Sequence, residues 1–515
     1  MGRAVGAVAL AALVACRDDD FRLSAHLRGT ADVSAAQELT VDGAVPSRLT
    51  LTLDDGEDVR VATFDALRRT RDLPLVGLRP GVRTEVTLLA EAEDGGTATR
   101  QWHVRTPSLP RGFPAVEVLA LDPDRAWPGW TLLDLEVGDA SWLAVLDPSA
   151  EVVWWMALDA PPSDARLRDD GALQLLLDGG VVRMDWLGRQ LQRTGAAPDP
   201  AAEAWVPAPL VEVHHEASPL PDGLVVLDRA ERDVDAYPQS YGRRRLGPAH
   251  IAESAVVRLD DDGRVLLRVP LADVLDPERI GFDSLSETAT GAEDWAHANG
   301  VIPHESDGGW VVSARHQDCV FELGPDGALR WILGTPAGWG PPWSGLRLRP
   351  VGEVTWPYHQ HAPAFAPDGT LLLFDNHNDG RTPYDEPVAG DVHSRVVRYR
   401  IDEEARTVEQ VAVYEDTATG PLWSMALGSA HELPNGDVVG LFGLLEQEGG
   451  VDDEARGWGR HSARLVEWSP EGDVVRDVRL RTDAADPGGV RSYRAWPLET
   501  PWTGPPGQRG AWSVP

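Results

Sequence analysis

The sequence predicts an all-β protein: a six-bladed β-propeller preceded by a small β-sandwich. Three observations lead to this prediction. The N-terminal part alternates apolar and polar positions, six strand–turn–strand segments recur after it, and a histidine recurs in phase with four of them. Alternation with a period of two is typical of half-buried strands. Hairpins repeated at intervals of several tens of residues are typical of propeller blades, which bury their faces against one another.

Composition limits the classes of function. The chain has 515 residues, of which 42 % are apolar, enough for one large or two ordinary domains with proper cores. Its formal net charge of −35 arises from 82 acidic against 47 basic residues. Nucleic acids and anionic membrane surfaces require clustered positive charge, so the composition argues against both partners.

The N-terminus is a candidate export signal. It runs MGRAVGAVALAALVACRDDD, with one Arg followed by an apolar run too short to span a bilayer. The stretch Leu13-Val14-Ala15-Cys16 resembles the lipobox of bacterial lipoproteins. We therefore expect residues 1–16 to be a lipoprotein signal and Cys16 to carry the lipid. The protein would then be exported and anchored in the bacterial cell envelope, with membrane contact only through that lipid.

Residues 17–108 are predicted to form the β-sandwich. The segments RLTLTLDD and TEVTLLAEAEDGGTATRQWHVRT alternate apolar and polar residues between Gly, Pro and Asp breaks. The segment PSLPRGFP, residues 107–114, then resembles a linker because its prolines interrupt strand pairing. Residues 109–515 are predicted to form the propeller.

The propeller prediction depends on a degenerate hairpin repeat. Its copies begin near residues 143, 181, 257, 320, 396 and 465. They read LAVLDPSAEVVWWM, VVRMDWLGRQLQRT, VVRLDDDGRVLLRV, VFELGPDGALRWIL, VVRYRIDEEARTVEQVAVY and LVEWSPEGDVVRDV. Each gives a strand, a turn containing Asp or Gly, and a second strand. Six copies predict six blades.

A second repeat places one histidine before an apolar strand in four blades. These histidines are His215, His297, His361 and His431, separated by 82, 64 and 70 residues. Because the innermost strands of a propeller line its central channel, side chains at equivalent inner positions converge there. The pattern therefore predicts a ring of imidazoles.

Three interpretations of this ring remain open at this point. Each histidine could cap a blade turn. The ring could bind a metal, since imidazole is a common ligand and Asp294 and Glu432 could add carboxylates, although Arg315 would repel a cation. Alternatively, the ring could bind an anion that a neutral histidine attacks while Arg and Asn side chains hold its oxygens.

Two sequence blocks carry a family resemblance. The first is DWAHANG, residues 294–300, followed by SARHQ and WILG; the second is QHAPAFAPDGTLLLFDN, residues 360–376. Together they resemble the bacterial arylsulfate sulfotransferases, enzymes that use no PAPS and are built as six-bladed propellers with a small N-terminal β-sandwich. The sequence DNHNDGR, residues 375–381, departs from the Gly-rich turn of that family.

The resemblance assigns roles to individual residues. It implies that His361 is the nucleophile that becomes transiently sulfated and that His297, Asn299 and Arg315 hold the sulfuryl oxygens. His215, or His214 beside it, would complete the site. Tyr493 and Arg494 would approach the channel from the closing blade, and the role of His431 stays open. The donor would be an aryl sulfate and the acceptor a phenol, with no metal and no cofactor.

Two other functions stay open. A metal-dependent lactonase or phosphodiester hydrolase would be sensitive to chelators, and a non-catalytic surface lipoprotein would bind a ligand without turnover. The sequence does not determine the oligomeric state, so a homodimer is also an open expectation.

Overall fold

The computed structural model describes residues 20–29, 36–242, 245–304, 306, 308–385, 392–448, 451–452, 460–482, 488–500 and 511–513. These residues form β-strands and short 3-10 helices, with no α-helix among them, and the all-β prediction is confirmed. No helix in the described ranges is long and apolar enough to cross a membrane. The predicted signal with Cys16 lies outside the described residues.

The N-terminal strands form one continuous sheet. Its members are β1 (Leu23–Gly29), β2 (Gln37–Asp54), β3 (Val59–Leu75), β4 (Arg83–Ala92), β5 (Thr97–Arg105) and β37 (Ala511–Ser513). Buried and exposed residues alternate along β4 and β5, as the sequence pattern predicts. The register of β2 against β3 shifts between Asp42 and Ser47, and β1 contacts β5. The sheet therefore folds over on itself around one core.

Six further sheets of four or more strands follow in the described residues. The first contains β7 (Trp130–Val137), β8 (Ala140–Leu146), β9 (Val152–Leu158) and β36 (Ala495–Leu498). The second contains β10 (Ala165–Leu167), β11 (Leu173–Leu177), β12 (Gly180–Met184), β13 (Gln190–Gly195) and β14 (Trp205–Pro207). The third contains β15 (Val213–Leu220), β16 (Gly223–Asp228), β19 (Ala255–Asp260) and β20 (Val265–Pro270).

The remaining three sheets are also mainly antiparallel, with one parallel pair in the fifth sheet. The fourth contains β21 (Ala298–His304), β22 (Gly309–Ala314), β23 (Cys319–Leu323) and β24 (Leu329–Gly334). The fifth contains β25 (Arg349–Pro350), β26 (His361–Phe365), β27 (Leu371–Asp375), β28 (Arg395–Asp402) and β29 (Thr407–Tyr414). The sixth contains β6 (Ala115–Leu121), β30 (Leu422–Ser424), β31 (Ser429–Glu432), β32 (Val438–Glu448), β33 (Val451–Asp452), β34 (Ser462–Trp468) and β35 (Val474–Arg481).

Smaller elements connect these sheets. A hairpin of β17 (Glu231–Pro238) and β18 (Leu246–Ala252) projects from the third sheet. The 3-10 helices are Leu271–Asp273, Arg315–Gln317, Trp343–Gly345 and Asn378–Gly380.

The inner strands of the six sheets form a closed ring. β36 contacts β10 of the second sheet, and β11 of that sheet contacts β15 of the third. The contacts then continue from β15 to β21, from β21 to β26, from β26 to β31 and from β31 back to β36. The ring is closed by pairing β36, from the C-terminal part of the chain, with β7. Closure leaves few unpaired strand edges. This is the arrangement of a β-propeller.

Both sequence repeats correspond to fixed positions in the sheets. Each of the six predicted hairpins supplies the third and fourth strands of one sheet, for example β23 and β24. Each of the four histidine segments supplies the first and second strands, for example β26 and β27. The histidines therefore lie at or immediately before inner strands.

The N-terminal sheet packs on the first and second propeller sheets. One hydrophobic cluster contains Leu51 and Phe64 of the N-terminal sheet together with Trp130 and Trp154. A buried ion pair, Arg60 Nη2 to Asp147 Oδ2 at 3.0 Å, joins the same two regions. The strand β37 pairs with β3 of the N-terminal sheet, although the sequence predicts that residues 109–515 belong to the propeller. The domain boundaries otherwise stay predictions.

Candidate active site

The inner strands bring most of the predicted residues together. The ring of His215 lies 4.8 Å from that of His297 and 6.0 Å from that of Tyr493, measured between centroids. His297 stacks on His316 at 4.5 Å. His361 lies close enough to Arg315 and Arg494 for both positive charges to lower its pKa. Five elements distant in sequence thus meet at one end of the channel.

Irregular pairing aims the histidines into this site. The register shifts between Val213 and Ala217 in β15, between Ala298 and Gly300 in β21, and between His361 and Ala364 in β26. A residue with positive φ lies in or beside each irregularity: His215 at 60°, His297 at 45° and Ala362 at 48°. Bulges of this kind redirect side chains and recur next to active sites. The sequence repeat located the histidines but did not reveal these bulges.

The tautomer of His361 is fixed by Asn376. The Nδ2 group of Asn376 donates to the carbonyls of Ser424 at 2.9 Å and Leu427 at 3.1 Å. Its Oδ1 must therefore accept from Nδ1 of His361, 2.7 Å away. His361 is 2 % exposed, and burial together with the two guanidinium charges holds its pKa well below the usual value. The imidazole is neutral, with the lone pair of Nε2 available for attack.

His297 is oriented by Asp294. Its Nδ1 lies 2.6 Å from Oδ2 of Asp294, which directs Nε2 away from the carboxylate. An imidazole paired with a carboxylate in this way has a fixed ring orientation. His297 can therefore exchange a proton with a group at the site.

Arg315 begins a 3-10 helix beside the histidines and is nearly fully buried. Its Nη1 donates to Asp283 Oδ2 at 3.2 Å and to His316 Nε2 at 2.6 Å, and Nη2 donates to the carbonyl of Met425 at 3.4 Å. Its buried Nε has no hydrogen-bond acceptor among the described residues. The side chain is positioned firmly and keeps a donor for an anion.

Arg494 is a second buried cation that the sequence indicated only weakly. It is 3 % exposed, and its Nη atoms donate to the carbonyls of Gly428 at 2.8 Å and Asn299 at 3.1 Å. Within the described ranges no carboxylate forms an ion pair with it. Its guanidinium lies 4.2 Å from the centre of the Tyr493 ring. Arg315 is paired with Asp283, so Arg494 is the buried positive charge that an anion could neutralise.

Asn299 is buried, and its amide group is hydrogen-bonded to the backbone. It is 0 % exposed, and its Nδ2 donates to the carbonyl of Gln360 at 2.8 Å, immediately before His361. The buried Oδ1 has no partner in the described part of the chain. Its predicted role in holding sulfuryl oxygens stays a prediction, and its observed bonds connect β21 to the segment that carries His361.

The pair of adjacent histidines is distinguished by geometry. His214 Nδ1 lies 2.7 Å from His215 Nδ1, and only His215 has ring contacts with His297 and Tyr493. Burial lowers the pKa of both, and that of His214 to about 4. His215 is thus the one of the two that contacts the other site rings.

His431 belongs to a different environment. Its ring packs edge-on against Trp496 at 4.9 Å and lines a channel cavity of about 680 Å³. Arg166 lies in the same cavity and bonds to both Asp164 and Glu216 at 2.7 Å. The fourth member of the histidine repeat therefore lies in this part of the channel and has no ring contact with the other three.

One group of ligand-type residues lies within the site: Asp294, His297 and His316. The donor set suits a metal poorly. His316 Nδ1 donates to the carbonyl of Asp294 at 2.7 Å and its Nε2 accepts from Arg315, so neither nitrogen offers a free lone pair. Burial keeps its pKa well below the usual value, which agrees with a neutral ring. The arrangement favours an anion over a cation.

Two curated relatives are similar to part of this chain. The arylsulfate sulfotransferase AssT of Escherichia coli O6:H1 is 29 % identical over 213 residues, covering 38 % of this chain and 34 % of that protein. The AssT of Lelliottia amnigena is 26 % identical over 259 residues, covering 41 % of this chain and 42 % of that protein. The matched segments thus span less than half of either relative.

Among solved structures, a protein of unknown function from Bacteroides caccae has a TM-score of 0.40 and 15 % identity, with 73 % of this chain and 100 % of that one covered. The model of the arylsulfotransferase (ASST) family matches residues 118–485, the region that contains the four histidine segments and the six hairpin segments. The chain therefore belongs to the arylsulfotransferase family.

Proposed function

We propose that this protein transfers a sulfuryl group from an aryl sulfate ester to a phenol, through a sulfated His361 and without PAPS. One observation carries the proposal: the bond between His361 Nδ1 and Asn376 leaves a neutral Nε2 lone pair beside Arg315 and Arg494. A nucleophile in a site with buried positive charge suits an anionic electrophile such as a sulfate monoester.

In the first half-reaction, Nε2 of His361 attacks sulfur. The S–N bond forms as the S–O bond to the aryl group breaks, and the bonding pair leaves with the phenolic oxygen. His297, whose ring Asp294 orients, acts as the general acid and donates a proton to that oxygen. Arg315 and Arg494 compensate the charge on the sulfuryl oxygens, as phosphoryl-transfer enzymes do for phosphate oxygens.

In the second half-reaction, a phenol takes the position that the first one vacated. Its oxygen attacks sulfur while His297 accepts the phenolic proton, and the S–N bond breaks with its electron pair returning to Nε2. Both the nucleophile and the acid–base group thereby return to their starting protonation states. The chemistry consumes no nucleotide.

The test is a burst experiment with 4-nitrophenyl sulfate and no added nucleotide. We expect a burst of about one equivalent of nitrophenol per chain, followed by a stall until a phenol is added. Mass spectrometry should then find one sulfuryl group on a peptide containing His361. Steady release of inorganic sulfate with no labelled histidine would refute the transfer mechanism, and loss of activity with a chelator would favour the metal-hydrolase alternative.

Export with a lipid on Cys16 is a separate proposal that rests on the sequence LVAC. Radiolabelled fatty acid should label the wild type and not Cys16→Ser. Equal labelling of both proteins would refute it.

A further inference from the structure

An aromatic pair that the proposed reaction does not use lies beside the segment that contacts Arg315. Tyr241, at the end of the projecting β17–β18 hairpin, is 37 % exposed, and its ring lies 5.3 Å from that of Phe282. The Oη of Tyr241 accepts the backbone N–H of Asp283 at 3.2 Å. The hairpin end is thereby fixed to the segment that carries Phe282.

This pair is directly connected to the reacting region. Asp283, the residue after Phe282, bonds through Oδ2 to Nη1 of Arg315 at 3.2 Å. The carbonyl of Met425 accepts from both Arg315 and Asn378, the latter at 2.8 Å. The segment that contains Asp283 and the turn that contains Asn378 are therefore both tied to Arg315, the first directly and the second through the carbonyl of Met425.

A cation completes the group. Arg381 follows that turn, and its guanidinium carbon lies 5.3 Å from the centre of the Phe282 ring. In a chain with a net charge of −35, Arg381 forms no ion pair with any described carboxylate, including Asp379 in the adjoining turn. An arginine that stacks on an aromatic face keeps its N–H groups free for a carboxylate.

We propose that Tyr241, Phe282 and Arg381 form the acceptor subsite and select phenols that carry an anionic substituent such as a carboxylate. The aromatic pair packs against the acceptor ring, and Arg381 binds the substituent while the hydroxyl group faces His361. This inference rests on the proposed function and names the acceptor class for it. It also gives a role to DNHNDGR, the segment that departs from the family pattern.

The test measures binding separately from turnover. Isothermal titration of the unreacted protein compares 4-hydroxybenzoate, phenol and 4-(aminomethyl)phenol. We expect 4-hydroxybenzoate to bind about threefold to tenfold more tightly than phenol and the ammonium compound to bind most weakly. Arg381→Glu should reverse the order of the two charged ligands, whereas Tyr241→Ala should weaken all three by about threefold to tenfold.

The control is Arg264→Glu, which makes the same charge change in the turn between β19 and β20. The side chain of Arg264 is 73 % exposed. It should leave the order of affinities unchanged. Equal affinities in the wild type, or an order that Arg381→Glu does not alter, would overturn the acceptor subsite. If the burst is normal in that case, the proposed transferase function stands and only the acceptor subsite is refuted. If the protein selects the carboxylate but gives no burst, the acceptor subsite stands and the transferase function is refuted.

Discussion

At the scale of single residues, Asn376 determines which nitrogen of His361 can react. We expect Asn376→Ala to slow the nitrophenol burst about 10- to 100-fold, because the lost hydrogen bond, worth roughly 1–3 kcal/mol, no longer holds the reactive tautomer. The burst amplitude should stay near one equivalent. Stopped-flow absorbance measures both quantities. Asn435→Ala, in an exposed turn, is the matched control, and an unchanged burst rate in Asn376→Ala would contradict this role.

The pKa of His361 gives a second prediction at this scale. Burial, Arg315 and Arg494 lower it well below the usual value, so the nucleophile stays neutral as the pH falls through 6.5. Protonation of His361 should slow the burst at low pH, and this acid limb of the pH–rate profile should lie well below pH 6.5. Arg494→Met removes a positive charge, raises that pKa and moves the limb to higher pH. A limb that stays in place or moves to lower pH would contradict the proximity of Arg494.

The sequence indicates His361 and Arg315 as candidate site residues but not these supporting bonds. His361 belongs to the histidine repeat, and Arg315 lies in the SARHQ segment that carries the family resemblance. Asn376 pairs with His361 only through the irregular register of β26 on β27, which no local pattern encodes. Asp294 was visible beside His297, yet its role as an orienting carboxylate required the 2.6 Å contact.

At the scale of elements, the bulge in β26 sets the direction of His361. Ala362 has a φ of 48°, a region that β-branched side chains avoid. We expect Ala362→Val to lower the free energy of unfolding by about 1–3 kcal/mol and to slow the burst, because relief of the strain moves His361. Urea unfolding and burst kinetics measure the two effects.

Ala364→Val is the control for this bulge. It makes the same change two residues later in the strand, at a residue that is not in the left-handed region. It should alter the burst far less than Ala362→Val. Equal effects of the two substitutions would mean that the bulge does not position the nucleophile.

The same elements show which parts of the fold a sequence can predict. The hairpin repeat identified the third and fourth strands of every propeller sheet because their turns carry Asp or Gly. The bulges of β15, β21 and β26 were missed because a single extra residue scarcely changes the apolar pattern. The return of β37 to the N-terminal sheet was missed because three residues carry no periodicity.

At the scale of the whole molecule, an acidic exterior surrounds a site with two buried arginines. The net charge of −35 repels an anionic aryl sulfate at long range, whereas Arg315 and Arg494 attract it only within the channel. The Debye length falls from about 30 Å at 0.01 M salt to about 8 Å at 0.15 M. Added salt therefore screens the distant repulsion more than the buried attraction.

We accordingly expect kcat/KM for 4-nitrophenyl sulfate to rise severalfold between these two salt concentrations, since weaker repulsion speeds the encounter of donor and protein. With the donor saturating, kcat/KM for uncharged phenol should change little, because a neutral acceptor feels no net field. Steady-state kinetics at the two concentrations measures both values of kcat/KM. The salt should have no specific affinity for the site, so the measurement is repeated with a second such salt. A fall in donor kcat/KM with salt would show that positive charge at the channel mouth controls the approach of the donor and that the acidic exterior does not.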